Sequence, residues 1–320
     1  MRVVYFGTSA FAVPPLEALL SDGGVDVPLV VTQPDRVRGR GGKVLPTPVK
    51  AAALARMRDN GKSGRDGLRV LEPERIRGNE AFFAELAAAA PDLIVVASYG
   101  QILPREVLEL PRLGCVNIHA SLLPKYRGAS PIRQAILDGE EETGVTLMVM
   151  GEGLDDGDMI ARTAARVGDL DAGALTERLA AAGAALLLEA LPSLEDGTAL
   201  RVPQEESLAT YAPKTTKEDA RLDWSAPAEA VVRRVRAMAP EPGAWTLAGD
   251  VRVRVLGAHI GERAAAQGNP GTVFAVSDEG VFVLAGDGAV VLDVIGVPGK
   301  RPMRVAEFLR GNAFPAGRLE

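Results

Sequence analysis

The chain has 320 residues, with 36 Lys+Arg against 42 Asp+Glu for a formal net charge of −6, 47% hydrophobic residues, two histidines and one cysteine. The apolar content excludes intrinsic disorder, and the length predicts two domains or one large one. The single Cys115 excludes an internal disulfide framework and every multi-cysteine zinc pattern, and the longest apolar run, Leu179 to Leu188, is far short of the roughly 20 residues that span a bilayer. No signal-peptide pattern opens the chain, so a cytoplasmic protein without structural metal is expected.

The opening residues predict a buried strand from Val3 to Phe6, a Gly-Thr-Ser turn, and a helix with apolar positions at Leu16, Leu19 and Leu20. Further strands follow at Val27–Thr32, at the uninterrupted apolar run Leu93–Ala97, at Cys115–Ile118 and at Val145–Met150. Helical stretches such as Asn79–Ala90 alternate with them, which predicts a largely parallel α/β sheet covered on both faces. Ligands gather at the carboxyl ends of such strands, so the residues just after each strand are where chemistry is expected.

An Ala/Leu-rich helix over Ala174–Leu191 precedes Pro192–Thr210, a polar stretch of little periodicity that reads as a linker. A helix at Ala226–Met238 then leads into short alternating strands near Val251–Leu256, Thr272–Ser277, Gly280–Ala285 and Ala289–Ile295, the pattern of a small β-barrel. Residues 208–320 are nearly neutral at +1, so the first 207 carry −7.

Several patterns imitate known sites. Gly61-Lys62-Ser63 resembles the end of a phosphate-binding loop, but Arg56 stands where that loop needs glycine. Gly7-Thr8-Ser9 follows the first strand, yet Ser9 and Ala12 occupy the remaining glycine positions of a dinucleotide fingerprint. Cys115 lies inside an apolar strand and reads as a core residue, and His259 has no carboxylate partner suggested by sequence.

Asn117-Ile118-His119 closes a strand, and two residues apart on an extended chain share a face, so an amide and an imidazole project together. The following strand ends in Gly151–Asp158 (GEGLDDGD), which a parallel sheet would bring to the same rim, with Asp155 or Asp156 placed to orient His119. Asn, His and Asp together suit acyl-type transfer: the amide donates to a developing oxyanion while the His/Asp pair handles protons. The spacing equally allows Asn117 to close a turn and His119 to be an interior histidine.

The stretch NIHASLLPKYRGASPI (Asn117–Ile132), with ETGVTLM (Glu142–Met148) and GLDDGD (Gly153–Asp158), resembles the signature of the 10-formyltetrahydrofolate-dependent formyltransferases. FGTSAFAVPPLEALL at the start, TQPDRVRGRGGKVLPTPVK (Thr32–Lys50) and YAPKTTKEDARLDW (Tyr211–Trp224) point to the branch that formylates a methionine esterified to initiator tRNA. The resemblance implies an α/β, Rossmann-like catalytic domain over 1–191, a linker over 192–210, and an OB-like, tRNA-binding β-barrel domain over 211–320. It also implies 10-formyltetrahydrofolate as a consumed co-substrate, no metal, and a monomer. Its catalytic residues map onto Asn117, His119 and Asp155, and its folate site onto Ser121, Leu122, Leu123 and Pro124.

The loop Thr32–Lys50 sets Arg36, Arg38, Arg40, Lys43 and Lys50 against the single Asp35, among glycines that suit phosphate contacts. In the resembling family this loop engages the acceptor stem, and Arg40 matches its key arginine. Lys125 and Arg127 beside the turn, and Lys214, Lys217, Arg233, Arg234 and Arg236 in the second domain, are further candidates for phosphate contact. A formyltransferase acting on a small amine and a non-catalytic RNA-binding module are the competing readings, neither of which needs both the basic loop and the Asn/His pair.

Overall fold

The structure, a computed structural model, describes residues 1–37, 44–59, 67–262, 268–315 and 317–320. The chain divides into two compact units: residues 1–131, 142–166 and 176–212 form one, and residues 132–141, 167–175 and 213–320 the other.

The first unit is built on seven strands: β1 (Arg2–Gly7), β2 (Asp26–Val31), β3 (Arg69–Leu71), β4 (Leu93–Ala97), β5 (Cys115–His119), β6 (Glu142–Val149) and β7 (Met159–Arg166). They lie in the order β7-β6-β5-β4-β1-β2-β3. The pairs from β5 through β4 and β1 to β2 and β3 are parallel. β1, β4 and β5 are almost wholly buried, as uninterrupted apolar strands must be when helices cover both faces. On one face Phe6, Val31 and Val96 pack with Phe82 and Leu86 of the helix Glu80–Ala88, whose start is capped by Asn79 accepting from the Phe82 amide at 3.0 Å. On the other, Ile118 and Val145 meet the long helix Ala172–Glu195 at Gly183, where a Cβ would strike Ile118.

Two strands run against the expected direction. β6 pairs antiparallel with β5 (Asn117 opposite Met148, His119 opposite Thr146), and β7 pairs antiparallel with β6. β7 escapes a reading of the sequence because MIARTAAR carries small and charged residues on an outer strand exposed on one face. The stretch 192–210 is also more ordered than a tether. Its first residues finish the long helix, Val202 bridges Met159, and residues 204–212 bond to the turn after β5.

The second unit is an antiparallel barrel of β8 (Ala244–Ala248), β9 (Val251–Gly261), β10 (Val273–Ser277), β11 (Gly280–Leu284) and β12 (Ala289–Gly296), ordered β8-β9-β12-β11-β10. β8 buries Ala244, Thr246 and Ala248, positions too small or polar to register as an apolar alternation. The barrel closes through the last residues, since Leu319 bridges Ala248 at one edge and Arg318 bridges Thr272 at the other. Closure removes the two free edges that would otherwise pair with other chains. The helix Ala228–Met238 fills one mouth with Val231, Val235 and Met238, and Trp224 is buried with its Nε1 donating to Thr246 Oγ1 at 2.9 Å.

Both tryptophans, Trp224 and Trp245, lie in this unit, so their fluorescence reports its unfolding alone. Leu319 is 2% exposed at the closing seam. Leu319→Ala is expected to destabilise the tryptophan-reported transition by about 2–4 kcal/mol in urea, while circular dichroism of the helices in the first unit persists to higher denaturant.

Candidate active site

Asn117 and His119 occupy alternate positions near the end of β5 and are 9% and 5% exposed. Both reach the carboxylate of Asp155. Asn117 Nδ2 donates to Oδ1 at 3.2 Å, and His119 Nδ1 stands 3.6 Å from Oδ2, an ion-pair separation wider than a hydrogen bond. The Gly128 amide donates to the same Oδ2 at 2.9 Å. On the other side of the ring, His119 Nε2 donates to the Tyr126 carbonyl at 2.9 Å. Both imidazole nitrogens therefore face acceptors, which fixes the ring plane.

The route by which Asp155 arrives differs from the expected one. Because β6 is antiparallel to β5, its end at Val149 lies beside Val116, toward the beginning of β5. The loop of residues 150–158 must fold back along the sheet to bring Asp155 to Asn117 and His119. Asp155 sits at φ +50°, a left-handed conformation uncommon outside glycine, and Gly157 approaches the Val149 carbonyl where a Cβ would collide. Gln204 holds the folded-back loop: its Nε2 donates to the Asp155 and Gly157 carbonyls, each at 2.8 Å. The adjacent Asp156, the alternative orienting group, has no such contact with His119 and lies instead against Gly153.

The turn after β5 is rigidly bonded. Ser121 Oγ donates to the Lys125 carbonyl at 2.6 Å, and Thr146 Oγ1 donates to the Ser121 carbonyl at 2.7 Å while accepting from the Leu123 amide at 3.1 Å. Of the four residues assigned to folate, Ser121 and Leu123 are turned inward and buried, whereas Leu122 and Pro124 are half-buried. Two apolar side chains that the sequence did not single out stand open at the loops around this rim. Ile102, in the loop after β4, is 86% exposed, and Leu154, beside Asp155, is 59% exposed. Exposed aliphatic groups of this size next to buried polar ones are the features that could have marked them.

Among the basic residues, Arg36 is exposed in a short hairpin that pairs it with Leu45. Arg38, Arg40 and Lys43 lie outside the described residues, as does the Gly61-Lys62-Ser63 pattern. Lys50 is not available for phosphate: its Nζ lies 2.6 Å from Asp35 and 2.8 Å from Glu72. The hydrogen bond from Lys50 holds the Asp35 carboxyl below its ordinary range, and Asp35, then Glu72, raise the Lys50 ammonium. Arg127 is corrected likewise, being 2% exposed and bonded to Gln204 Oε1 (Nε, 3.0 Å) and Glu206 (Nη1, 2.9 Å).

In the second unit Arg233 pairs with Glu229, while Arg236 donates to the carbonyls of Gly168 and Leu170 and burial lowers its pKa. Arg234 donates to the Asp219 carbonyl at 2.5 Å. Lys214 and Lys217 remain exposed. Unforeseen is a stack in which the Arg252 and Arg221 guanidiniums lie over the Trp245 ring, 3.9 and 5.5 Å from its centroid. Their spacing in sequence gives no hint of it, because the pairing of β8 with β9 brings Arg252 to Trp245 and an isolated bridge brings Arg221 there.

Cys115 is a core residue, as expected, with its thiol pushed up to about 12 by burial, which makes it inert as a nucleophile. His259 does have a carboxylate partner: Asp293 Oδ1 lies 2.9 Å from its Nδ1 on the exposed barrel surface. Among the described residues no group of three or more His, Cys, Asp or Glu could hold a metal, and no helix is long and apolar enough to cross a membrane.

The Formyl transferase family profile matches residues 1–191, and that of the formyl transferase C-terminal domain matches residues 214–313. The methionyl-tRNA formyltransferase of Thiobacillus denitrificans is 48% identical over 318 residues, covering 99% of this chain and 98% of that one. That of Aromatoleum aromaticum is 47% identical, covering 99% and 96%. Among solved structures, HypX from Aquifex aeolicus in complex with tetrahydrofolic acid shares the fold at TM-score 0.63 and 23% identity, over 97% of this chain and 47% of that longer one. The methionyl-tRNA formyltransferase from Clostridium thermocellum does so at TM-score 0.53 and 16% identity, over 82% and 94%. With an Asn/His/Asp cluster at the end of an α/β sheet, both family profiles matched, and near-half identity along its full length, the chain belongs to the formyl transferase family, in its methionyl-tRNA formyltransferase branch.

Proposed function

We propose that the chain transfers the formyl group of 10-formyltetrahydrofolate to the amino group of methionyl initiator tRNA, giving formylmethionyl-tRNA and tetrahydrofolate for translation initiation. The observation that carries this reading is the convergence of Asn117 Nδ2 and His119 Nδ1 on one carboxylate, at the buried end of β5. The attacking amine must be unprotonated, and Asp155 is the base in reach of the site. As the C–N bond forms, negative charge gathers on the formyl oxygen. The second N–H of Asn117 and the Nδ1–H of a protonated His119 are the donors for it, and their near-complete burial strengthens both. The amine nitrogen, cationic once the C–N bond has formed, gives one proton to Asp155; collapse then breaks the bond between the formyl carbon and N10, and that proton passes to N10 as formamide and tetrahydrofolate separate. The fixed Nε2–H contact with the Tyr126 carbonyl leaves Nδ1 as the nitrogen that works.

Folate binding is assigned to the Ser121–Pro124 turn, with Ser121 and Leu123 shaping it from beneath and Leu122 and Pro124 at its surface. Leu154 and Ile102 supply apolar surface for the flat pterin and aryl rings. Arg36, Arg38, Arg40 and Lys43 in one unit, and Lys214 in the other, are assigned to the phosphates of the tRNA, with Arg221 and Arg252 as added cations. We infer a cytoplasmic monomer, since both substrates belong to the translating cytoplasm; light scattering at the mass of a single chain is the check. The direct test of function is incubation with methionyl-tRNA and 10-formyltetrahydrofolate, read as acid-stable formylmethionine, and absence of product refutes the reading.

Asn117→Ala and His119→Ala are each expected to lower kcat by about 10²–10³, the usual loss of an oxyanion donor or proton-transfer group, with tRNA affinity within about twofold. Unchanged kcat would sink the assigned mechanism. Arg40→Ala is expected to weaken tRNA binding and to reduce the slope of log affinity against log salt by about 1, with circular dichroism unaltered. An unchanged slope counts against Arg40 as a phosphate contact.

A further inference from the structure

We infer that Gln204, braced by Arg127, is a positioning residue for the formyl transfer: it holds the Asp155 loop in its folded-back form. The inference rests on the proposed reaction for its kinetic consequence, though not for its geometry. Asp155 is delivered by a loop that leaves β6 beside Val116, toward the beginning of β5, and it sits in the left-handed region at φ +50°, which aspartate tolerates better than most side chains. What holds the loop from outside is a pair of hydrogen bonds to its backbone. Both come from Gln204, whose one amide group spans the carbonyls of Asp155 and Gly157 at 2.8 Å each and so bridges both sides of Asp156.

The orientation of that amide is determined by its other end. Arg127 Nε is a donor only, at 3.0 Å from Gln204 Oε1, so the NH2 group must face the two carbonyls. Arg127 is in turn fixed by Glu206, through Nη1 at 3.1 Å to Oε1 and 2.9 Å to Oε2. The same stretch of chain secures the other half of the site. The Tyr126 amide donates to Thr210 Oγ1 at 2.9 Å and the Arg127 amide to the Thr210 carbonyl at 2.8 Å, which sets the Tyr126 carbonyl that meets His119 Nε2. Residues 204–210 therefore fix both the carboxylate and the imidazole without touching either reacting group. Gly128 permits this closeness: at φ +116° its Cα passes the Ala212 carbonyl so tightly that a Cβ would stand 2.8 Å from it.

The test is Gln204→Glu, which keeps length and shape but replaces the two N–H donors by an acceptor aimed at two carbonyls, while keeping an oxygen for Arg127. Expected is a fall in kcat of about 10–100-fold, the scale on which a displaced catalytic group costs rate. The Kd for tRNA and the melting temperature should hold close to wild type, and the KM for 10-formyltetrahydrofolate, which Leu154 on the same loop would touch, should change less than kcat. A readout independent of activity is available because the chain has only two histidines. The ring ¹⁵N signals of His119 should move in Q204E as Asp155 shifts, and those of His259 should not. If Q204E does not fold, Gln204→Met removes the same donors without charge and is read in the same way. A kcat within twofold of wild type, or His119 signals unmoved, overturns the inference. A wild-type enzyme that makes no formylmethionyl product refutes the proposed reaction instead, and leaves the NMR comparison to decide whether Gln204 positions Asp155.

Discussion

A carboxylate largely screened from water needs donors, and the contacts of Asp155, whose side chain is 16% exposed, tie together the half of the molecule that carries the candidate site. Its two oxygens accept from Asn117 at the end of β5 and from the Gly128 amide in the turn beyond, with His119 at ion-pair distance, and its backbone carbonyl takes Gln204 from some fifty residues further on. Each donor alone is an ordinary contact. Together they draw four separate stretches of chain to one point, and removing the carboxylate would leave buried donors without partners, which costs more than each bond contributes when made. The same convergence makes the site chemically useful, since donors already fixed need no reorganisation when charge develops on a substrate oxygen.

This arrangement explains a feature of the sheet that otherwise looks awkward. With β6 parallel to β5, the loop after β6 would meet Asn117 and His119 directly. The antiparallel pairing instead ends β6 beside Val116, and residues 150–158 bring Asp155 back to Asn117 before β7 pairs along the outer edge of β6. A loop that folds back can be anchored from outside, and residues 204–212 supply the anchor before the chain passes to the second unit.

What the sequence makes legible follows from the range of each interaction. The continuous apolar strands, the helix capped by Asn79 and the shared face of Asn117 and His119 are local and periodic, and they can be read along the chain. The direction of β6, the fold-back of Asp155 and the role of Gln204 depend on pairings between residues tens of positions apart, which no local pattern encodes. The resemblance to a known family supplied Asp155 where spacing left it level with Asp156; geometry separates them, because only Asp155 faces the imidazole. Strands β7 and β8 stayed hidden for a different reason: the alternation that marks a half-buried strand is blurred, in β7 by alanines and arginines and in β8 by buried positions that are only Ala244, Thr246 and Ala248.

Charge is where sequence counting misleads most. Lys50 stands in the densest basic stretch, yet Asp35 and Glu72 consume it, and Arg127, adjacent to the active-site turn, is an internal brace. Arg233 and Arg236 likewise serve the second unit's own acceptors. Conversely Arg221 and Arg252, unremarked in sequence, both lie over the ring of Trp245, where an indole steadies a guanidinium without neutralising it. A cation paired with a carboxylate must break that pair to meet a phosphate, whereas one resting on an aromatic face keeps its full charge and its hydrogen-bonding edge. Affinity for a polyanion therefore depends on which cations the fold leaves uncommitted, and a chain of net charge −6 can hold RNA through a few such groups.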